Sequence, residues 1–265
     1  MGDPDFLSGS SGTVTSPKAS LRDLAMDASL LARGIPLRLA RAAREKPPRR
    51  RVLAVGVERT DVPNLMPAAR EELARSRHGL TLRTIEAGAK GKWENVGELL
   101  AATPAAGHDW LVLVDDDVVL PRGFLDGFLF LAERFDLRIA QPAHRRRSHG
   151  AWEVTRREWG SVVRETRFVE QGPLAAFHSS TFETLLPFPP LRMGWGLDLH
   201  WSAIAAERKW RIGVVDALPV KHGLREVAGG YGTDAAVEEA REFLADRPYV
   251  RAEQAAKTLA AHRRW

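Results

Sequence analysis

Residues 108–121 read H-D-W-L-V-L-V-D-D-D-V-V-L-P. Leu111 to Val114 form a continuous apolar run of strand length, which suits a strand buried on both faces of a mainly parallel sheet. The run stops at Asp115, Asp116 and Asp117. Three adjacent carboxylates repel one another and disfavour a strand, so they call for a cation, Arg or Lys partners, or water. Open α/β sheets bind ligands at the carboxyl ends of their strands, where this cluster falls. With extended geometry maintained, Asp115 and Asp117 point the same way and together suit a hard divalent ion with water and phosphate oxygens. A solvated acidic turn that caps the next helix is the plainer alternative.

The chain of 265 residues is long enough for one large domain with terminal additions, and 44% hydrophobic residues with eight Trp supply a sizeable core. No cysteine is present, so disulfides, thiolate metal sites and a Cys nucleophile are excluded, which fits a cytoplasmic location. No apolar run approaches the ~18 residues of a membrane span, and the first residues do not resemble a secretory signal. The net charge of +5 is unevenly placed: residues 18 to 51 hold ten Lys or Arg against three acids, residues 1 to 17 carry only Asp3 and Asp5, and residues 52 to 265 are neutral. A body without net positive charge argues against a nucleic-acid-binding core.

Residues 1–17, rich in Gly, Ser, Thr and Asp, are expected to be a disordered leader. Residues 18–48 read as a basic helical extension. Ser20 with Asp23 suggests a capping box for a helix through about Arg33, Gly34 and Pro36 interrupt it, and Leu37 to Arg44 resume it before Pro47-Pro48. A basic amphipathic segment suits peripheral contact with an anionic membrane surface, or a second subunit in a homodimer. A solvated helix packed on the back of the domain or on a second subunit is the preferred reading. Arg51 to Val57 reads as the first core strand, Glu58 to Asp61 as the loop at its carboxyl end, Pro63 to Ser76 as a helix and Leu80 to Ile85 as the next strand, an order that signals a doubly wound α/β domain. In A-G-A-K-G-K-W-E-N-V-G-E-L-L, residues 87 to 100, glycines lead into a helix, and Lys90, Lys92 and Asn95 are donors near its N-terminus that suit phosphate or a nucleobase. Neither Walker spacing nor G-x-G-x-x-G is present, which argues against a P-loop NTPase and an ordinary dinucleotide site.

Strand, polar loop, helix, second strand, the segment Lys92-x-x-Asn95-x-Gly97, then an apolar strand and D-x-D resembles the nucleotide-sugar-binding half of GT-A glycosyltransferases, family 2 most closely. The resemblance implies an α/β fold of GT-A type, Rossmann-like, with a mainly parallel central sheet flanked by helices and helical N- and C-terminal extensions. The catalytic domain would span 49–232, with 49–142 as the nucleotide-sugar half and 143–232 as the acceptor half, followed by C-terminal helices over 233–265. Glu58, Lys92, Asn95, Asp115, Asp116 and Gly172 are then donor-binding candidates, with Asp115 and Asp117 as metal ligands. A divalent ion there would neutralise charge on the departing nucleoside diphosphate.

In the second half, Pro121 to Phe135 reads as a helix and Leu137 to Pro142 as a strand. H-R-R-R-S-H-G, residues 144–150, is either a solvated basic loop or a clamp on an anionic group. Val162 to Val169 alternates as a strand does and leads to Glu170-Gln171-Gly172-Pro173, where Gly172 permits close approach of backbone to a sugar. Ser180 with Glu183 begins a short helix. M-G-W-G-L-D-L-H-W, residues 193–201, sets aromatic faces beside glycines, so Trp195 and Gly196 are acceptor-binding candidates. Asp198 opens a helix, as an N-cap or, by the resemblance, as the carboxylate beside the acceptor that serves inverting enzymes as general base. The usual motif has Glu where this chain has Leu197. His200 would lie about 200° round that helix from Asp198. His222, in V-K-H-G after the strand Arg211 to Val215, resembles the late histidine that completes the metal site. An imidazole in the set favours Mn²⁺ over Mg²⁺. G-W-G-L-D, G-V-V-D and V-x-H also resemble a group of GT-A-like bacterial and plant proteins over about residues 110 to 223. Gly229 to Gly232 reads as a mobile loop, Thr233 or Asp234 as the cap of a helix through Leu244, and the residues beyond Pro248 as a last helix.

The chain is therefore expected to be a cytoplasmic, membrane-peripheral at most, metal-dependent glycosyltransferase acting on a UDP- or GDP-linked sugar and a hydroxyl acceptor. A sugar nucleotidyltransferase is disfavoured because V-E-R-T-D-V-P lacks the Gly-rich loop those enzymes carry after the first strand. A sugar-nucleotide- or glycan-binding module without catalysis is disfavoured by the joint presence of three Asp, Asp198 and His222.

Overall fold

Val52 to Val55 and Leu111 to Val114 are fully buried and lie side by side in parallel, with Val55 level with Leu113. Alternation along these two strands sends Val52, Ala54, Val112 and Val114 into one apolar cluster and Leu53, Val55, Leu111 and Leu113 into another, because successive side chains leave a strand on opposite faces. Both faces need covering, so helices pack on each side.

The computed structural model describes residues 4–8, 17–45, 48–224 and 232–265. In chain order its elements are α1 (Pro17–Ala32), α2 (Ile35–Glu45), β1 (Arg51–Glu58), α3 (Met66–Ala74), β2 (Gly79–Glu86), α4 (Lys92–Ala102), β3 (Trp110–Val114), β4 (Val118–Val119), α5 (Phe124–Arg134), β5 (Leu137–His144), β6 (Val163–Thr166), β7 (Leu174–His178), α6 (Phe182–Leu185), α7 (Leu197–Glu207), β8 (Arg211–His222), α8 (Thr233–Leu244), α9 (Ala252–Ala255) and β9 (Thr258–His262). The central sheet runs β2-β1-β3-β7-β5-β8-β6-β9, and β4 pairs with the far end of β8. The pairs β1–β2, β1–β3 and β5–β8 are parallel; β7 enters antiparallel between β3 and β5, and β6, β9 and β4 are antiparallel to their partners. The fold is thus α/β, a mixed nine-stranded sheet flanked by helices.

On one face, α2, α3 and α5 contribute Leu39, Met66, Leu73, Phe124 and Phe128 to the core. On the other, α4, α7 and α8 contribute Trp93, Trp201 and Phe243.

Several elements differ from the sequence expectation. The segment after Pro248 is the short α9 followed by β9, not one continuous helix. Ala260 and Ala261 of β9 pair with Glu165 and Arg164 of β6, so an unpaired sheet edge overrides the weak helical pattern. β7 reads as no strand by itself. α1 starts three residues before Ser20, and Asp23 is buried within it rather than in a cap: its carboxylate accepts the N–H groups of Arg146 and Arg147, each at 2.9 Å. Within the expected leader, residues 4–8 pack on the body, with Phe6 buried and Asp5 accepting from the Tyr249 hydroxyl and the Ala252 N–H at 2.9 and 2.7 Å. The remainder of that leader, Pro47 and the glycines at 229–230 with Tyr231 lie outside the described residues.

The carboxyl-terminal half is pinned by a buried ion pair. Arg164 donates through Nε and Nη2 to Asp216 at 2.8 and 3.0 Å, and its remaining N–H groups reach the carbonyls of Val154 and Arg156 at 2.7 Å. Removing one partner of such a pair leaves an uncompensated buried charge. Asp216→Ala is expected to lower the unfolding free energy by about 3–5 kcal/mol in urea titration; a loss below about 1 kcal/mol would mean that the pair does not hold this half together.

Candidate active site

The chain leaves the extended conformation after Val114, and Asp116 and Asp117 lie in a turn before β4. The expectation that Asp115 and Asp117 share one extended face is therefore corrected. The three carboxylates instead take three different partners, as mutual repulsion and partial dehydration require.

Asp115 Oδ1 lies 2.6 Å from Lys92 Nζ, at the first turn of α4. Lys92 Nζ also donates to the Gln171 carbonyl at 3.3 Å. The Asp115 N–H donates to the Pro173 carbonyl at 2.8 Å. A Cβ on Gly172 would stand 2.7 Å from Asp115 Oδ2 and 3.4 Å from Lys92 Nζ, so glycine there is what lets the backbone run against this pair.

Asp116 is buried, and its Oδ2 accepts the Arg59 N–H at 2.9 Å. Through this bond the carboxylate holds the loop after β1. Glu58, at the end of β1, has Arg70 3.2 Å from its Oε1. Asn95 is buried, and its amide nitrogen donates to the carbonyls of Ala87, Lys90 and Gly91 at 3.0, 3.3 and 2.9 Å. It closes the turn ahead of α4.

Asp117 is buried, and its Oδ2 lies 3.0 Å from His222 Nε2. The β4–β8 pairing sets Val118 opposite His222, which delivers the imidazole to the neighbouring carboxylate across 105 residues of sequence. Burial opposes the charged imidazole, but the hydrogen bond and the charge of Asp117, joined by Asp115 and Glu170, outweigh it and raise the His222 pKa. Among the described residues no three His, Asp or Glu side chains are drawn together as a preformed metal cradle. A carboxylate oxygen and an imidazole nitrogen meeting at one spot nevertheless form a donor pair suited to a divalent transition ion such as Mn²⁺, with Asp115 between the end of β3 and the turn that carries Asp117.

Asp198 is in the first turn of α7 and is buried. It is not the N-cap; that place belongs to Gly196, whose φ of 86° is left-handed and favours glycine. Gly196 also faces Leu244, which a Cβ would meet at 2.8 Å, so it shapes the entry to α7. Trp195 packs partly buried against the second core cluster. Asp198 Oδ2 accepts the Gln171 N–H at 3.3 Å and Oδ1 accepts the Leu199 N–H at 3.0 Å. Desolvation, reinforced by the charge of Glu170 and opposed by those N–H groups and its own, raises the Asp198 pKa to about 7. A carboxyl group poised near neutrality is what general-base work needs. His200 points to the Pro248 carbonyl at 2.7 Å and the Phe243 ring, as helical geometry predicts.

Residues 170–172 join these parts. Gln171 uses its carbonyl for Lys92, its N–H for Asp198 and its side-chain oxygen for Trp93 Nε1 at 2.7 Å. Trp93 sits edge-on to Trp201 and Phe188 with ring centroids at 5.4 and 5.1 Å, a rigid floor under the segment. Sequence reasoning singled out Gly172 but missed Glu170, which is buried beside His144 at 3.3 Å and accepts from Ala151 N–H and Thr155 Oγ1 at 3.2 and 3.0 Å. It also missed Glu239 of α8, which accepts the N–H groups of Arg192, Met193 and Gly194 and so fixes the G-W-G loop. Of the arginines in 144–150, Arg145 pairs with Asp27, Arg146 pairs with Glu153, and the exposed Arg147 donates to the Ser20 hydroxyl at 3.3 Å.

No family model matches the chain, and no curated protein matches it in sequence. Among solved structures it is similar to the mannosyltransferase PcManGT from Pyrobaculum calidifontis in complex with GDP-Man and Mn²⁺, at 18% identity over 90% of this chain and 79% of that one, with a TM-score of 0.46. It is similar also to glucosyl-3-phosphoglycerate synthase from Mycobacterium tuberculosis in complex with Mn²⁺, UDP and phosphoglyceric acid (14%, 78% and 79%, 0.45) and to S. aureus TarS in complex with UDP-GlcNAc (11%, 77% and 69%, 0.48).

The environment of Asp198 has a measurable consequence. Because its folded pKa lies above the unfolded value, folding favours the protonated carboxyl, and the associated stability is present below about pH 4 and lost as pH rises to about 7. Asp198→Asn, uncharged and of the same shape, is expected to match the natural chain in urea titration near pH 4 and to be more stable near pH 8, by an amount on the order of a few kcal/mol. An unchanged difference between the two pH values would show that Asp198 is not held in the environment described.

Proposed function

We propose that the chain is a metal-dependent glycosyltransferase of GT-A type that moves a sugar from a nucleoside diphosphate, UDP or GDP, to a hydroxyl of a glycan, lipid or small molecule. The observation that carries this reading is the connection of two chemistries through one backbone segment. At one end, Gln171 and Gly172 abut the Asp115–Lys92 pair, with Asp117 on the adjoining turn and His222 against it from the end of β8; at the other, Gln171 binds the buried Asp198.

Asp115, Asp117 and His222 would hold a divalent ion, which when bound supplies Lewis-acid neutralisation of the leaving diphosphate. Lys92, a cation at the N-terminal turn of α4, is suited to a diphosphate oxygen in place of the Asp115 carboxylate. Gly172 leaves room beside it for the sugar. The acceptor hydroxyl oxygen forms a bond to the anomeric carbon, the bond from that carbon to the diphosphate oxygen breaks with its electron pair, and the hydroxyl proton passes to Asp198. This is the inverting course, and it requires the ionised carboxylate. Gln171 and Leu199 N–H groups orient that carboxylate, and burial keeps its proton affinity high enough to act as a base.

The test is nucleoside diphosphate release from a panel of UDP- and GDP-sugars, with and without Mn²⁺. One donor is expected to turn over slowly in a metal-dependent way, with release abolished in Asp117→Ala. In Asp198→Asn the rate is expected to fall by about 10²–10⁴ with donor binding retained. In the natural chain the rate should climb with pH and level off above about 7, the pKa of Asp198. No release from any donor, together with no Mn²⁺-dependent thermal shift on adding UDP or GDP, would sink this reading.

A further inference from the structure

An amphipathic helix that only packs on a protein needs one apolar face, and α1 has two. Met26 and Leu30 are buried toward the body. Leu21, Leu24, Ala25, Ala28, Leu31 and Ala32 follow helical spacing along the opposite side and are exposed, with Leu21 at 67%, Leu24 at 64% and Leu31 at 67%. Leu37, in the first turn of α2, is 81% exposed. A row of leucines at this spacing is not the scatter of single apolar residues that ordinary surfaces show.

The charge around the row is one-sided. Residues 17–45 contain six Lys or Arg and three acids. Two of the acids are turned inward: Asp23 is buried against Arg157, and Asp27 pairs with Arg145 and Arg157. The third, Glu45, pairs with Arg41. Lys18, Arg22, Arg38 and Arg44 are exposed beside the row. At the elbow between α1 and α2 the surface opens into a cleft of about 930 Å³ lined by Arg33, Arg38, Arg263 and Arg264, with Trp159 on it at 60% exposure. Arg33 is braced by a hydrogen bond to the Gly160 carbonyl at 2.9 Å, and the Arg38 guanidinium stands 5.4 Å over the Trp265 ring.

We propose that this face docks on an anionic phospholipid bilayer. The leucines enter the boundary between headgroups and acyl chains, the flanking cations face the phosphates, and the arginine-lined cleft takes headgroups beside an aromatic side chain suited to the interface. Isologous pairing of two copies through the same face would set one basic rim against another, and like charges across an interface oppose association. The docking does not depend on the proposed reaction, so it is tested separately.

The experiment is co-sedimentation of the full chain with vesicles of phosphatidylcholine alone and of phosphatidylcholine mixed with phosphatidylglycerol, with light scattering on the free protein. The chain is expected to pellet with the anionic vesicles, to pellet poorly with phosphatidylcholine, and to be released by added salt. Leu21→Ser with Leu24→Ser should lose at least about tenfold in vesicle affinity, and Arg22→Gln and Arg44→Gln about fivefold each. All four positions are exposed, and thermal melting like that of the natural chain shows that each variant is folded. Failure to pellet with anionic vesicles overturns the proposal, as does equal pelleting with both compositions. A dimer in solution that the leucine variants dissociate, without vesicle binding, would make the face a homotypic interface instead.

Discussion

A carboxylate that leaves water must find a cation or a set of N–H donors, or else take up a proton, and this constraint organises the ligand edge of the sheet. Each acid at the end of β3 meets it differently. Asp115 takes the ammonium of Lys92, Asp116 takes a backbone N–H, and Asp117 takes an imidazole. Asp198 is desolvated beside the like charge of Glu170, and the N–H groups it accepts do not offset this, so its proton affinity rises. Glu170, equally buried, goes the other way: desolvation would raise its pKa, but the hydrogen bond and charge of His144, with the Ala151 N–H and the Thr155 hydroxyl, lower it below the ordinary range. Two neighbouring carboxyl groups are thereby driven apart, one held as an anion and the other near neutrality, the pattern by which one site keeps a fixed charge and a proton acceptor side by side.

Much of the amino-terminal half was legible because its signals are local. The apolar runs at 52–55 and 111–114, the glycines ahead of α4 and the Phe124–Phe128 stripe each state their element within one short window. β7, β9 and β4 were not legible in this way. L-A-A-F-H and T-L-A-A-H are short and weakly patterned, and they become strands because β3, β6 and β8 offer unpaired edges. That information lies in other parts of the chain.

The candidate site divides along a similar line. A polar residue in a ligand-edge loop is visible from sequence, but its partner is not. Asn95 and Asp116 have the residue types and positions of ligand contacts, yet the Asn95 amide nitrogen goes to three carbonyls and one Asp116 oxygen to an N–H of the chain itself. Lys92, Asp115, Gly172, Asp117, His222 and Asp198 are instead brought into one connected arrangement. Glu170 and Glu239 were missed for the converse reason: an acid after a strand or within an exposed amphipathic helix reads as solvated, and only the tertiary structure reveals that each binds a loop of the site.

The same physics links α1 to that site. Asp23 accepts the N–H groups of Arg146 and Arg147, and in the next two residues the Ser148 hydroxyl accepts the His222 N–H at 2.8 Å while the His149 N–H reaches the His222 carbonyl at 2.9 Å. The loop 145–149 is thus held by an acid of α1 at one end and by the strand carrying His222 at the other. Turning Asp23 and Asp27 inward does two things at once. It supplies the anions that the buried Arg157 and the loop arginines require, and it withdraws two negative charges from the outer face of a helix whose exposed residues beyond Pro17 are leucines, alanines and cations. The charge asymmetry visible in the sequence as a basic segment is sharpened by folding into a basic surface, because the acids of that segment are spent on the interior.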